Sequence, residues 1–375
     1  MIKTLYVKLT HHPIFEVMGI FSIKPEQVIL VVPSEIDLNY DPQALLNSIR
    51  KRSHATVLLQ TIDFSNMDIV HNLLSGIRDC DGFLLSNMDA IEDLVLFKAL
   101  SENRNNIYFI ESDGDLWHMQ GSKIENIPTE ALKLDDFFES IGAQIIHDEK
   151  KFYVHKSYNT ILTWISDHYE VWSSVKSILR SPALTKSVAE SDSISVQKEL
   201  TAPADKKAFQ LWLDFLYSEN IIQIKRTSAK IIIHFSHHHF KEYFMKFGMW
   251  FEHMIYTLIK ENALLENLNT GVLFSWDTKQ NLVKNELDVV GVSENRLVII
   301  SCKDTTSISE HALNEIALYS DELAEDSSIK ILATTMQLDQ VHLIARAKTL
   351  GIHLLHYSGD GDAFVHALKA LLASS

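Results

Sequence analysis

At 375 residues the chain exceeds one core of ordinary size, so two or three domains are expected. Its 46% hydrophobic and 22% charged content excludes a disordered chain, and the absence of any apolar run near the ~20 residues of a membrane span, with an N-terminus opening on a strand pattern, points to the cytoplasm. The net charge of −15 argues against a protein that simply coats nucleic acid, and two cysteines, Cys80 and Cys302, expected in buried strand or turn settings, are too few for a disulfide framework or a zinc ribbon.

Residues 1–147 alternate short apolar runs with helical patterns. Strands are expected at Leu5 to Leu9, Gln27 to Val32, Thr56 to Thr61, Gly82 to Ser86 and Ile107 to Ile110. Helices fall near His12 to Phe21, Pro42 to Arg52, Asn66 to Arg78 and Ala90 to Glu102, with Pro13 and Pro42 near helix starts, where a missing N–H costs little. Such succession implies an α/β domain with a Rossmann-like parallel sheet covered on both faces. After Glu111 the pattern changes to a terminal hairpin.

Residues 148–236 form a helical connector: an aromatic helix from Tyr158 to Leu179, a stretch of low hydrophobicity from Ser181 to Pro203, then a helix and hairpin from Ala208 to His234 that resemble a winged-helix fragment. Such units bind DNA or act as connectors. Trp164, Trp172 and Trp212 stand at helical spacing among apolar residues and read as core. His237, His238 and His239 diverge on any regular backbone, with no carboxylate following at zinc-ligand spacing, and read as a polar loop. From Ile222 to Lys260 six basic residues face two acidic ones, a region that attracts phosphate or is merely a solvated basic face.

Residues 237–375 read as helix, hairpin, helix, strand, helix, strand. The hairpin runs from Asn285 to Val292, turns through Ser293-Glu294-Asn295-Arg296, and returns from Leu297 to Lys303. Antiparallel pairing brings Asp288 beside Lys303, 15 residues later. A carboxylate holds a hard divalent cation through oxygen, and an ammonium orients water or neutralises charge on a phosphoryl group. The plain alternative is a surface ion pair.

With Glu252 on the helix that follows Gly248, 36 residues before Asp288, this order resembles the PD-(D/E)xK nuclease core. The acid expected two residues before the lysine is Ser301; Glu286, placed by alternation with Asp288, or Glu252 can supply the charge. A Rossmann-like domain, a winged-helix-like connector and a PD-(D/E)xK restriction-endonuclease-like domain together resemble the CRISPR-associated CARF nucleases. That resemblance implies a cytoplasmic homodimer that cleaves DNA or RNA with Mg²⁺ or Mn²⁺ in antiviral defence, activated by a cyclic oligoadenylate. It implies catalytic roles for Glu252, Asp288 and Lys303, and a metal held by Glu252, Asp288 and the carbonyl of Cys302. Ligand contacts are implied at the carboxyl ends of the first and fourth strands, at Thr10, His11 and Asn87. There Asn87 matches the family, but the Thr-Gly-Gly-Thr-Lys run that follows in the family is absent, and Asp89, Glu92 and Asp93 stand instead. A sensor or scaffold that retains the fold and does not cut is the alternative function.

Overall fold

The computed structural model describes residues 2–34, 38–86, 91–102, 106–111, 114–150, 153, 155–187, 191–198, 202–246, 248–276 and 283–374. Among them the strands form three sheets. The first is built from β1 (Thr4–Lys8), α1 (Ile14–Ile23), β2 (Gln27–Pro33), α2 (Pro42–Arg52), β3 (Thr56–Ile62), α3 (Met67–Ser75), β4 (Gly82–Ser86), α4 (Ile91–Glu102) and β5 (Asn106–Ile110). Its parallel order is β3-β2-β1-β4-β5, and the hairpin β6 (Leu116–Gln120) and β7 (Lys123–Ile127) extends it antiparallel. Every residue of β4 is buried, as a parallel strand covered on both faces requires. The α2 start follows its sequence signal: the Asp41 side chain accepts from the Gln43 N–H, and Pro42 occupies the first turn. Chain order reverses between β1 and β4, so the carboxyl ends of these strands form the switch point of the sheet. Cys80, in the turn before β4, is exposed, contrary to expectation, whereas Cys302 is buried as expected.

Next come α5 (Leu134–Ser140) and β8 (Gln144–His147). Although β8 falls before residue 148, it pairs with the third sheet, so the first segment reaches across to the last. The aromatic run expected as one helix divides at His168 into α6 (Lys156–Asp167) and α7 (Tyr169–Arg180). Then β9 (Thr185–Ser187), β10 (Ser193–Gln197), α8 (Pro203–Ser218), β11 (Ile222–Arg226) and β12 (Lys230–Phe235) make a sheet of order β11-β12-β10-β9. Two of these strands arise in the stretch of low hydrophobicity. Ile194 and Val196 alone carry the alternation there, and both are fully buried.

The third unit comprises α9 (His238–Met245), α10 (Met249–Glu261), β13 (Glu266–Ser275), β14 (Lys284–Ser293), β15 (Arg296–Lys303), α11 (Glu310–Ala324), β16 (Ser328–Thr334), α12 (Val341–Thr349), β17 (Ile352–His356) and α13 (Gly361–Ser374). Its sheet runs β17-β16-β15-β14-β13-β8, parallel from β15 to β17 and antiparallel elsewhere. Strand β13 escapes the sequence pattern because Asn267 and Gly271 take positive φ, of 49° and 55°, and the register shifts between Glu266 and Asn269, which scrambles the alternation. The expected polar loop at His238 and His239 is instead the first turn of α9, where both rings face Glu242.

The units share their interiors. Trp172 of α7, Trp212 of α8 and Trp250 of α10 are fully buried in one core with Val289, Ile300 and Cys302 of the third sheet; Trp164 is partly buried against it, stacked on Phe215. A second core joins α1 and α5 to Val272, Phe274 and Leu287. No helix among the described residues is long and apolar enough to cross a membrane.

Candidate active site

The β14–β15 turn sets the site. Ser293 pairs with Arg296, so the loop is only Glu294 and Asn295, both at positive φ, of 49° and 62°. Positive φ at both central residues is the two-residue turn whose twist matches a hairpin. The resulting register pairs Val289 with Ile300, which leaves Asp288 beside the last three residues of β15. Its Oδ2 accepts the Cys302 N–H at 2.7 Å and the Ser301 hydroxyl at 3.1 Å, and lies 3.4 Å from Lys303 Nζ. The N–H and C=O of one strand residue point the same way, so the Cys302 carbonyl faces the Asp288 edge of β15.

Asp288, Ser301 and Lys303 line a cleft of about 300 Å³, together with Glu286, Asn285, Glu315 and Tyr319. Glu252 approaches from α10. Gly248 makes its placement feasible: a Cβ there would stand 2.8 Å from Glu252 Oε1. Burial, followed by the charges of Asp288, Glu286 and Glu149, holds the Glu252 carboxyl well above the usual range, and Lys303 only partly offsets them. Glu286 is raised in the same manner, by burial and then by Glu149 and Asp288. For Lys303, burial lowers the ammonium pKa, but Asp288 and neighbouring groups more than offset it, so it stays above the ordinary lysine value. The expected trio is therefore brought together. Glu149, Glu286 and Glu315 enlarge it.

This donor set suits a hard divalent cation. Carboxylate and carbonyl oxygens are what Mg²⁺ or Mn²⁺ takes, and the crowding that lifts Glu252 and Glu286 is excess negative charge that a cation would relieve. Among the described residues no three metal-ligating side chains converge into a ready cage.

No local signal marks Glu149 in the sequence. It follows β8, more than one hundred residues before the motif, and only the β8–β13 pairing delivers it. Asn285, Tyr319 and Glu315 were also missed. Trp276 Nε1 donates to Asn285 Oδ1 at 2.7 Å, Asn285 Nδ2 donates to Tyr319 Oη at 2.5 Å, and Tyr319 Oη donates to Glu315 Oε1 at 2.9 Å.

At the switch point of the first sheet, Thr10 donates through its N–H (3.1 Å) and hydroxyl (2.8 Å) to Oε1 of the buried Glu16, and Ser86 Oγ donates to the same atom at 2.8 Å. Tyr40 Oη donates to the Thr10 carbonyl at 2.8 Å. Glu16 Oε2 is buried and has no partner among the described residues, and burial pushes this carboxyl up to about 7 despite the Thr10 and Ser86 hydrogen bonds. Thr10 is thus committed to an internal network. His11 and His12 instead line a cavity of about 310 Å³ with Asn39, Tyr40, Trp276, Leu318 and Glu322, at the seam between the first sheet and α11. Asn87 and Asp89 lie outside the described residues, as do the side chains of Glu92 and Asp93. A larger cavity, about 580 Å³, opens among Phe21, Lys24, Arg52 and His54 at the amino ends of the strands, the end open α/β sheets do not use for ligands.

Residues 241–370 match the family model described as Card1-like, endonuclease domain. No curated protein matches the chain. Among solved structures it is similar to Can2 from Sulfobacillus thermosulfidooxidans in complex with cyclic tetra-adenylate, with TM-score 0.73, 17% identity and 99% of each chain covered. It is similar as well to protein VC1899 from Vibrio cholerae, with TM-score 0.71, 16% identity, and 99% of this chain and 96% of that chain covered. The fold read from the sequence, α/β throughout with a Rossmann-like sheet first and an endonuclease domain last, is borne out along the whole chain.

Proposed function

We propose that this protein is a divalent-metal-dependent endonuclease, cleaving phosphodiester bonds in DNA or RNA, whose activity is gated by a cyclic oligoadenylate in CRISPR antiviral defence. One observation carries the nuclease reading: Asp288 and Lys303 meet at 3.4 Å in a cleft with surplus carboxylates, inside a segment that matches an endonuclease family. Asp288, Glu252 and the Cys302 carbonyl would hold the ion. When bound, a divalent ion stabilises developing phosphoryl charge and makes hydroxide accessible at neutral pH.

Lys303 has a narrower role than water activation. Held protonated by Asp288, it serves as a fixed cation that orients the scissile phosphate and offsets charge in the transition state. The Ser301 hydroxyl and Cys302 N–H fix Asp288 Oδ2, which pre-sets the carboxylate before any ion arrives.

The activator reading is supported by the likeness to Can2, whose structure holds cyclic tetra-adenylate, and by the seam cavity at the carboxyl end of β1. His11 and Asn87 would contact the ligand, and Thr10 would set the loop that presents them. A hydrogen-bonded series links that cavity to the cleft: Trp276 lines the first, and Asn285, Tyr319 and Glu315 line the second. Helix α11 carries Leu318 and Glu322 to one and Glu315 and Tyr319 to the other. A ligand that shifts Trp276 or α11 thereby reaches the catalytic residues. The active form would be a homodimer in the cytoplasm.

The test is cleavage of supercoiled plasmid and labelled single-stranded RNA with Mn²⁺, with and without a series of cyclic oligoadenylates. Cleavage that requires one ring and is lost in Asp288→Asn supports the whole reading. Ligand-independent cleavage removes the gate. The second reading, a scaffold that binds ligand and does not cut, is favoured by Ser301 in place of an acid, and it predicts no cleavage under any condition.

A further inference from the structure

Lys303 is the last residue of β15, and the backbone is held on either side of it. Before it, the Cys302 N–H donates to Asp288 Oδ2. Its own carbonyl accepts the Thr335 N–H at 3.3 Å. After it comes Asp304, whose side chain is only 1% exposed and does not line the cleft. Asp304 Oδ1 accepts from Lys176 Nζ at 2.8 Å and Thr335 Oγ1 at 2.7 Å; its Oδ2 accepts from Arg180 Nη2 at 2.8 Å and Trp250 Nε1 at 2.5 Å. A carboxylate has about four lone-pair sites, so these four donors leave none for an ion or a substrate. Arg180 Nη2 also donates to the Asp304 main-chain carbonyl at 2.6 Å, which holds the backbone as well as the side chain.

The donors come from separate parts of the chain. Lys176 and Arg180 stand one turn apart on α7, Trp250 lies in the first turn of α10, and Thr335 directly follows β16. Lys176 Nζ also lies 4.7 Å from the centre of the Trp250 ring, so the cation is held between the carboxylate and the indole. These contacts allow the end of β15 one position relative to α7. Lys303 is the residue that would feel slack there first, because its Nζ has to meet Asp288 Oδ2 at 3.4 Å across the hairpin. A shift of about 1 Å at a reacting group costs up to about 10²-fold in rate.

Resting on the nuclease reading above, we propose that Asp304 is a positioning residue for Lys303, clamping the end of β15 to α7 so that the ammonium is held at its place in the cleft. The middle segment then sets the geometry of the cleft through α7, and Lys303 carries the effect.

The experiment is a double-mutant cycle on the full chain, scored by cleavage of plasmid or labelled RNA with Mn²⁺ and any cyclic oligoadenylate the wild type requires. Asp304→Asn and Lys176→Met are each made in the wild type and in Lys303→Ala, and every variant is assayed below its melting temperature. Asp304→Asn should lower kcat about tenfold or more while KM stays within about threefold. Lys176→Met, which keeps the bulk and removes one α7 cation, should lower kcat in the same direction and by less. In Lys303→Ala either substitution should change kcat by less than about twofold, because the group it acts through is gone. A role in stability alone leaves kcat of the folded protein unchanged or lowers it equally in both backgrounds. Either result overturns the inference and leaves the nuclease reading standing. Should Asp304→Asn fail to fold, Lys176→Met carries the cycle by itself. No cleavage by the wild type under any condition removes the nuclease reading and this inference with it.

Discussion

Glu252 at the candidate cleft and Glu16 at the switch point of the first sheet are both withdrawn from water, yet their surroundings differ. Around Glu252 burial is compounded by like charges from Asp288, Glu286 and Glu149. Around Glu16 burial is opposed by hydrogen bonds from Thr10 and Ser86, and among the described residues no second carboxylate raises it further. A cation would relieve the first imbalance, a proton the second. Burial alone therefore does not say what a buried acid is for; its neighbours do.

The sharpest way to break this comparison is Asp288→Asn, which should abolish cleavage while leaving the circular dichroism and melting temperature near those of the wild type. Retained activity would remove Asp288 from the metal site. Lys303→Ala should lower kcat by roughly 10²–10³-fold, the scale of losing one preorganised partner for developing charge. Because Lys303 is held protonated, the alkaline limb of the wild-type pH profile should not fall through the range below the ordinary lysine pKa; a limb there would assign it to base catalysis.

At the other glutamate the reading is pH-dependent stability. The folded-state pKa of about 7 exceeds the ordinary 4.5, so the folded chain binds the proton more tightly. Stability is fullest below the ordinary value and declines as pH rises to about 7, by up to roughly 3 kcal/mol from this one group. Glu16→Gln should remove that decline, seen by urea denaturation at pH 5 and pH 8; an unchanged slope would place the proton elsewhere. The smallest effect is expected from Trp276→Phe, which deletes one neutral hydrogen bond worth about 1 kcal/mol and should cut the activation ratio about fivefold without abolishing basal cleavage. Equal activation in wild type and variant would disconnect the seam from the cleft.

What the sequence disclosed was what lies close in the chain. Asp288 and Lys303 share a hairpin, and its two-residue turn fixes their register, so local pattern sufficed. Glu252 was legible from its spacing to them on an apolar helix. Glu149, Glu315 and Tyr319 were not, because their approach depends on β8 crossing to β13 and on α11 packing over β15. Likewise β13 was hidden by the positive φ at Asn267 and Gly271. Glu16 carries no signal of its own in the sequence; its partners Thr10 and Ser86 come from different elements.

Asp304 follows Lys303 directly and is buried, with Lys176 Nζ at 2.8 Å, Arg180 Nη2 at 2.8 Å, Trp250 Nε1 at 2.5 Å and Thr335 Oγ1 at 2.7 Å. Both cations come from α7, outside the segment that matches the endonuclease family. Excising residues 237–375 would thus remove both cations paired with Asp304 beside Lys303, and a buried carboxylate that loses its partner typically costs about 3–5 kcal/mol. A transplantable unit that keeps this cleft intact begins no later than α7, and a fusion designed at the apparent motif boundary would inherit the cleft without its keel.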